Sequence, residues 1–206
     1  MAPGRRAPAA PQRAPGARES HLVELVDDAG RPVGAMSVAE AHRSPGARHR
    51  AFSVLLRDDA GRVLLQRRAA VKTRFPLRWA NSCCGHPLPG EPVTVAAARR
   101  LAEELGIVDV ALTEIGVYAY RADDPDTGRV EYEYDHVVLG RVAADAPVDA
   151  DPAEVAELRW APAADLPARI AADPGAYAPW LAGVLAVLAA PGPDPGARVE
   201  APSGDG

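Results

Sequence analysis

The chain has 206 residues, of which 48% are hydrophobic, 25% charged and 5% aromatic, and its formal net charge is −5. Such a chain can bury one sizeable core, and the negative balance argues against a nucleic-acid partner. No apolar run is long enough to cross a membrane, and the two cysteines, Cys83 and Cys84, are neighbours that could close no loop, so both are expected as free thiols in a reducing, cytoplasmic setting.

Residues 1–18 contain Arg5, Arg6, Arg13 and Arg18, no acid, and otherwise mostly Ala, Pro and Gly. They cannot build a core and are expected as a disordered tail, as are residues 191–206, which leaves one domain over 19–190. An Arg-rich, acid-free start would also suit a transit peptide, but its prolines would break the amphipathic helix such a peptide needs.

Strands are predicted at 21–26, 51–57 and 62–66, with the Asp27-Asp28-Ala29-Gly30 and Asp58-Asp59-Ala60-Gly61 sequences as hairpin turns. Further strands are predicted at 115–121, 130–142 and 157–160, and helices at 92–105, 162–172 and 178–189. Strands mixed with a few helices, without regular alternation, imply an α/β sandwich around a mixed sheet. His42 and His49 are separated by Pro45-Gly46, which makes a continuous helix between them unfavourable, so a loop is expected to carry them.

The 92–105 helix starts at Pro92 and stops at Gly106. With Val93 at zero on a wheel of about 100° per residue, Ala97, Leu101 and Leu105 form a stripe roughly 120° wide. Glu104 falls inside it and Arg100 at its edge. One explanation is an i,i+4 ion pair whose stems cover the core; the other is a carboxylate looking into a site and binding a metal, with Arg100 beside it for an anion.

Side chains alternate along an extended segment, so Cys84 and His86 point one way, and Glu131, Glu133 and Asp135 share one face of 131–136. Tyr132, Tyr134, Val137 and Val138 supply the same strand with an apolar opposite face. The acid face must then meet water, cations or a metal. By the same alternation Cys83 is the structural neighbour of Cys84, and Trp79 suits either core or site.

The sequence Gly85, five residues, Glu91, seven residues, then Arg99-Arg-Leu-Ala-Glu-Glu-Leu-Gly106-Ile107 is similar to the Nudix box, with Arg100 where Nudix hydrolases carry a Glu. That departure, with Asn81-Ser-Cys-Cys-Gly-His-Pro87, Glu131-x-Glu133 and Pro179-Trp180, resembles the type I isopentenyl-diphosphate isomerases over about 21–188. A Nudix-type diphosphate hydrolase is the alternative, weakened by the cation at Arg100.

The resemblance implies a Nudix-like α/β/α sandwich in a single domain and a 1,3-allylic proton shift between isopentenyl and dimethylallyl diphosphate. It implies a first metal, Mn²⁺, Zn²⁺ or Mg²⁺, on His42, His49, His86, Glu131 and Glu133, and a Mg²⁺ on the diphosphate that uses Glu104. Mixed N and O donors, more than four of them, suit an octahedral divalent ion better than tetrahedral zinc. It assigns Arg68, Lys72 and Arg100 to the diphosphate, Cys84 and Glu133 to acid/base work, Tyr120 to a hydrogen bond beside them and Trp180 to the developing cation. The remaining histidines, His21 and His136, are left outside. The enzyme is expected as a cytoplasmic monomer acting on a small molecule, with no membrane partner.

Overall fold

The structure, a computed structural model, describes residues 18–190. The expected tails therefore lie outside the described residues, except for Arg18. Nine strands form one mixed sheet: β1 (Leu22–Val26), β2 (Pro32–Ser37), β3 (His49–Arg57), β4 (Arg62–Arg68), β5 (Trp79–Ala80), β6 (Cys83–Gly85), β7 (Leu112–Asp123), β8 (Val130–Arg141) and β9 (Val155–Pro162). The helices are α1 (Val38–Ala41), α2 (Val93–Leu105), α3 (Leu166–Ala172) and α4 (Leu181–Ala189). Along the sheet the order is β2-β1-β3-β4-β5; β6 and β8 also pair with β3, β7 with β8 and β9 with β4. The parallel pairing of β3 with β8 makes the sheet mixed.

Both Asp-Gly turns form for the reason their residues allow. The Asp27 carboxylate accepts the Ala29 and Arg31 amides, and Asp58 accepts the Arg62 amide, each aspartate replacing a backbone partner at the corner. Helix α2 begins after Pro92 and ends at Gly106, whose left-handed conformation lets its N–H reach back to Leu101 and Ala102. The sheet separates two apolar layers. Leu101 and Leu105 of α2 pack with Phe52, Val54 and Cys83 on one side. Leu181 and Val184 of α4 pack with Leu55, Val137, Trp79 and Trp180 on the other.

The predicted elements are present with ends shifted by a few residues. The 162–172 helix opens as a 3-10 turn, Ala163–Asp165, and α4 starts at Leu181 rather than 178, since Pro179 follows a turn around Ala178. Among the strands and α-helices three carry no prediction, one of them the two-residue β5. β2 is a largely exposed edge strand with Pro32 and Gly34 in it, so it lacks the apolar alternation that marks a strand. α1 has only four residues, although Ser37 and Glu40 cap it reciprocally, a pattern present in the sequence as S-x-x-E.

Register places the site. On the β3–β8 pair His49 stands opposite Glu133, and on β7–β8 Tyr120 stands opposite Glu133. On β3–β6 Ser53 stands opposite Cys84.

Candidate active site

The acid face of β8 turns inward. Glu131, Glu133 and Asp135 are buried while Tyr132 and Tyr134 are half-buried, so the tyrosines take the wetter side, Tyr132 under the Arg48 guanidinium at 5.1 Å. A buried row of carboxylates costs several kcal/mol per charge unless cations or hydrogen bonds meet it, and each of the three finds a different partner.

Around Glu133 the three imidazoles of His42, His49 and His86 cluster with ring centroids 4.5 to 5.1 Å apart. The His42–His49 loop is irregular as expected. Gly46, at φ 86°, lies so close to β8 that a Cβ there would sit 2.8 Å from Val130 Cγ1. His42 directs Nδ1 to the Val38 carbonyl at 2.7 Å and His49 directs Nδ1 to the Ala47 carbonyl at 2.8 Å. Each therefore donates from Nδ1, which turns Nε2 toward the cluster. Glu133 Oε1 receives all three rings, with His86 Nε2 at 3.1 Å, His49 Nε2 at 3.6 Å and His42 Nε2 at 4.0 Å.

His42 Nε2 and Glu131 Oε2 stand 2.8 Å apart, yet both are buried without a hydrogen bond, as is His49 Nε2. A neutral His42 with its proton on Nδ1 would set two lone pairs face to face at that distance, which a cation between them, a metal ion or a proton, relieves. One donor atom from each of His42, His49, His86 and Glu133 lies within 4.8 Å of the others, while Glu131, also expected as a ligand, stands outside that group and touches it through His42 Nε2 at 2.8 Å. The residues fit a divalent metal ion.

Burial holds the His86 imidazole down at about 4, against the opposing effect of its hydrogen bond to the Glu133 carboxylate. Burial pushes Glu133 up, but the His49 and His86 rings facing it prevail and leave its carboxyl well below the usual range. His86 is thus neutral at pH 7 and free to ligate. A folded pKa below the unfolded one means that the unfolded state binds the proton more readily. For the metal-free protein this contribution to stability is full above pH about 6.5 and is lost toward pH about 4, on the order of 3 kcal/mol. We predict a melting temperature that falls across that window in chelator-treated protein, and bound metal that leaves as the imidazoles protonate; a flat profile in His86→Asn checks the attribution.

Glu133 divides its two oxygens. Oε1 faces the imidazoles, and Oε2 accepts the Tyr120 hydroxyl at 2.7 Å. Burial, then the Glu133 charge, raises the Tyr120 phenol well above its ordinary value, which keeps it a donor. Cys84 is half-buried and Cys83 fully buried, on opposite apolar layers as alternation requires. Burial, then the Asp135 carboxyl, pushes the Cys84 thiol up to about 12, so it keeps its proton at neutral pH. Asp135 accepts the Ser53 hydroxyl at 2.7 Å and, through burial and the nearby Glu133 charge, titrates well above the usual carboxylate range. It does not join the imidazole cluster.

One cleft is lined by Cys84, His86, Tyr120, Glu131, Glu133 and Trp180, and by the cations Arg18, Arg68, Lys72, Arg74, Arg99 and Arg100. Arg68 is 5% exposed, donates to the Arg74 and Phe75 carbonyls and lies 5.4 Å over the Trp180 ring. Lys72 pairs with Glu154. Arg100 approaches β6 closely because Gly85 has no side chain: a Cβ there would meet Phe52 at 2.9 Å and Arg100 Cγ at 3.2 Å. It pairs with Glu103 at 2.8 Å and with Glu104. The i,i+4 pair weighed for α2 is therefore present, and Glu104, 1% exposed, also accepts from Gln66 at 3.3 Å.

Trp79 belongs to the core, stacked under Arg159 at 4.1 Å. His21 lies at the cleft rim and His136 pairs with Glu114 at 2.7 Å, so neither enters the imidazole cluster. Three participants carried no sequence signal of a role. Arg74 bridges Glu131 at 3.2 Å and Glu19 at 2.8 Å. Glu154 meets Arg18 at 2.8 Å as well as Lys72. Arg18, placed at the end of the expected tail, also reaches Glu103 at 3.2 Å. Asn81, quoted in the 81–87 motif without a role of its own, contacts both Cys84 and Trp180.

A mixed sheet carrying this loop and helix defines a Nudix-fold protein, and residues 47–181 match the NUDIX domain family. The fold is shared with a crystal structure from Deinococcus radiodurans at TM-score 0.65 and 24% identity, covering 81% of this chain and 98% of that one. The isopentenyl-diphosphate Delta-isomerase of Nocardia farcinica is 66% identical over 165 residues, 80% of this chain and 93% of that protein. That of Streptomyces avermitilis is 45% identical over 170 residues, 82% of this chain and 84% of that protein. The chain belongs to the isopentenyl-diphosphate isomerase family of the Nudix superfamily.

Proposed function

We propose that this chain interconverts isopentenyl and dimethylallyl diphosphate, with Cys84 and Glu133 as the acid/base pair. The observation that carries the reading is the divided Glu133 carboxylate in a cleft that also holds a protonated Cys84 thiol and a Trp180 face. An unactivated alkene must take a proton at C4, pass through a tertiary cation-like species at C3, and lose a proton from C2. Cys84 supplies an S–H group to one side of the alkene. The Glu133 carboxylate, oriented by Tyr120, exchanges a proton on the other. Trp180 presents an aromatic face to the positive charge as it develops.

His42, His49, His86, Glu131 and Glu133 would hold a Mn²⁺, Zn²⁺ or Mg²⁺ ion, and Glu104 a Mg²⁺ on the diphosphate. When bound, the first ion would fix the Glu133 carboxylate and change its acidity, and the second would neutralise diphosphate charge. Arg68, Lys72 and Arg100 suit the diphosphate, because a highly charged anion takes both fork-like and point-charge donors. A catalytic thiol that must stay reduced suits the cytoplasm.

Purified protein incubated with isopentenyl diphosphate and Mg²⁺ should form the acid-labile allylic product without releasing phosphate or pyrophosphate. Release in its place would establish the hydrolase alternative. Arg100→Met keeps the aliphatic stem and removes the charge. We predict a KM raised about tenfold or more, and a lower melting temperature because Glu104 loses a buried partner. An unchanged KM would leave Arg100 as a partner of Glu104 alone.

A further inference from the structure

Asn81 sits in the link between β5 and β6 with no solvent exposure, and its amide uses its full hydrogen-bonding capacity. Nδ2 donates to the Val54 carbonyl at 3.2 Å and the Cys83 carbonyl at 2.8 Å. Oδ1 accepts from Cys84 Sγ at 3.2 Å and from Trp180 Nε1 at 3.0 Å. The orientation is determined by the partners. A flipped amide would set its oxygen against two carbonyls and its N–H groups against an indole N–H.

We infer that Asn81 is a positioning residue for the isomerisation: its amide oxygen is the shared acceptor that holds the Cys84 thiol and the Trp180 indole in a fixed relation in the cleft. This rests on the assignment of Cys84 as a proton-exchanging group. The backbone supplies the rigidity, since both Nδ2 contacts are to main-chain carbonyls of strands in the sheet, β3 at Val54 and β6 at Cys83. Ser53 makes the weaker contact. Its hydroxyl donates to Asp135 at 2.7 Å, and its oxygen lies 3.7 Å from Cys84 Sγ, against 3.2 Å for Asn81 Oδ1. Proton transfer to carbon has a narrow geometric tolerance, and so does the placing of an aromatic face over a forming cation. A single acceptor shared by the two groups fixes both at once.

The test uses Cys83→Ala as parent, in which Cys84 carries the remaining S–H group of a chain with two cysteines. Infrared absorption of that S–H band reports its hydrogen bond. In the parent the band should lie at the lowered frequency of a bonded thiol, and Asn81→Ala should move it toward the free-thiol position. The same change should lower kcat about thirtyfold or more while KM stays within about threefold, because the diphosphate-binding residues are untouched.

A kcat within about threefold of the parent overturns the inference, as does a fall in kcat with the band unmoved, which would mark a merely structural role. If Asn81→Ala does not fold, the parent band decides: a free-thiol frequency overturns the shared contact and a bonded one sustains it. Cys84→Ala, measured alongside, reads the underlying assignment separately. An active Cys84→Ala sinks the acid/base role itself, whereas an inert one with a normal Asn81→Ala removes only the positioning role.

Discussion

Cys84→Ala is expected to lower isomerisation by about 10³-fold or more, while Cys83→Ala stays close to the parent rate. The difference follows from alternation along β6. Cys84 lines the cleft with its thiol protonated, whereas Cys83 has no exposure and packs with Phe52, Val93 and Ala96 beneath α2. Removing its sulfur leaves a small void in a close-packed layer, which costs roughly 1 kcal/mol of stability and leaves the proton transfer alone. Steady-state rates and thermal melting of the two variants separate these effects. A dead Cys83→Ala beside an active Cys84→Ala would put the working thiol on the other layer of the sheet.

Glu133→Gln is the second large loss, expected at about 10³-fold or more, because the amide cannot exchange a proton at the required position. It retains an oxygen that can accept the Tyr120 hydroxyl, so the side chain should keep its place. The same residue faces three imidazoles, and its substitution changes the metal site too. Metal content by elemental analysis must accompany the rates. A loaded but inert variant assigns the loss to acid/base chemistry, and an emptied one assigns it to the metal. Near-normal turnover would exclude both roles.

How much of this was legible in the sequence differs from residue to residue. The wheel of α2 located Glu104 and Arg100 on the buried face because helical spacing alone determines it, and alternation separated Cys84 from Cys83. The direction of the β8 acid face was less legible. Tyr132, Tyr134, Val137 and Val138 read as the packing side, but Val137 shares the carboxylates' face and packs in the layer of Leu55 and Val184, and the carboxylates turn inward, since the imidazoles that receive them come from the 42–49 loop and from the residue after β6, far away in sequence. The parallel β3–β8 register that sets His49 against Glu133 is likewise a long-range fact with no local signature. Arg74 and Glu154 were illegible for the same reason. On a helix face or in a loop, a lone charge looks like ordinary surface until its partner is placed, and here the partners are Glu131, Glu19, Lys72 and Arg18.

The central claim, that the cleft moves a proton across an alkene and leaves the diphosphate intact, is tested most directly by running the reaction in D₂O. Product formed from isopentenyl diphosphate should carry deuterium in the methyl group derived from C4, with no phosphate or pyrophosphate released, and Cys84→Ala should give neither product nor label. Product with no deuterium at that methyl group, or label undiminished in Cys84→Ala, would contradict the account.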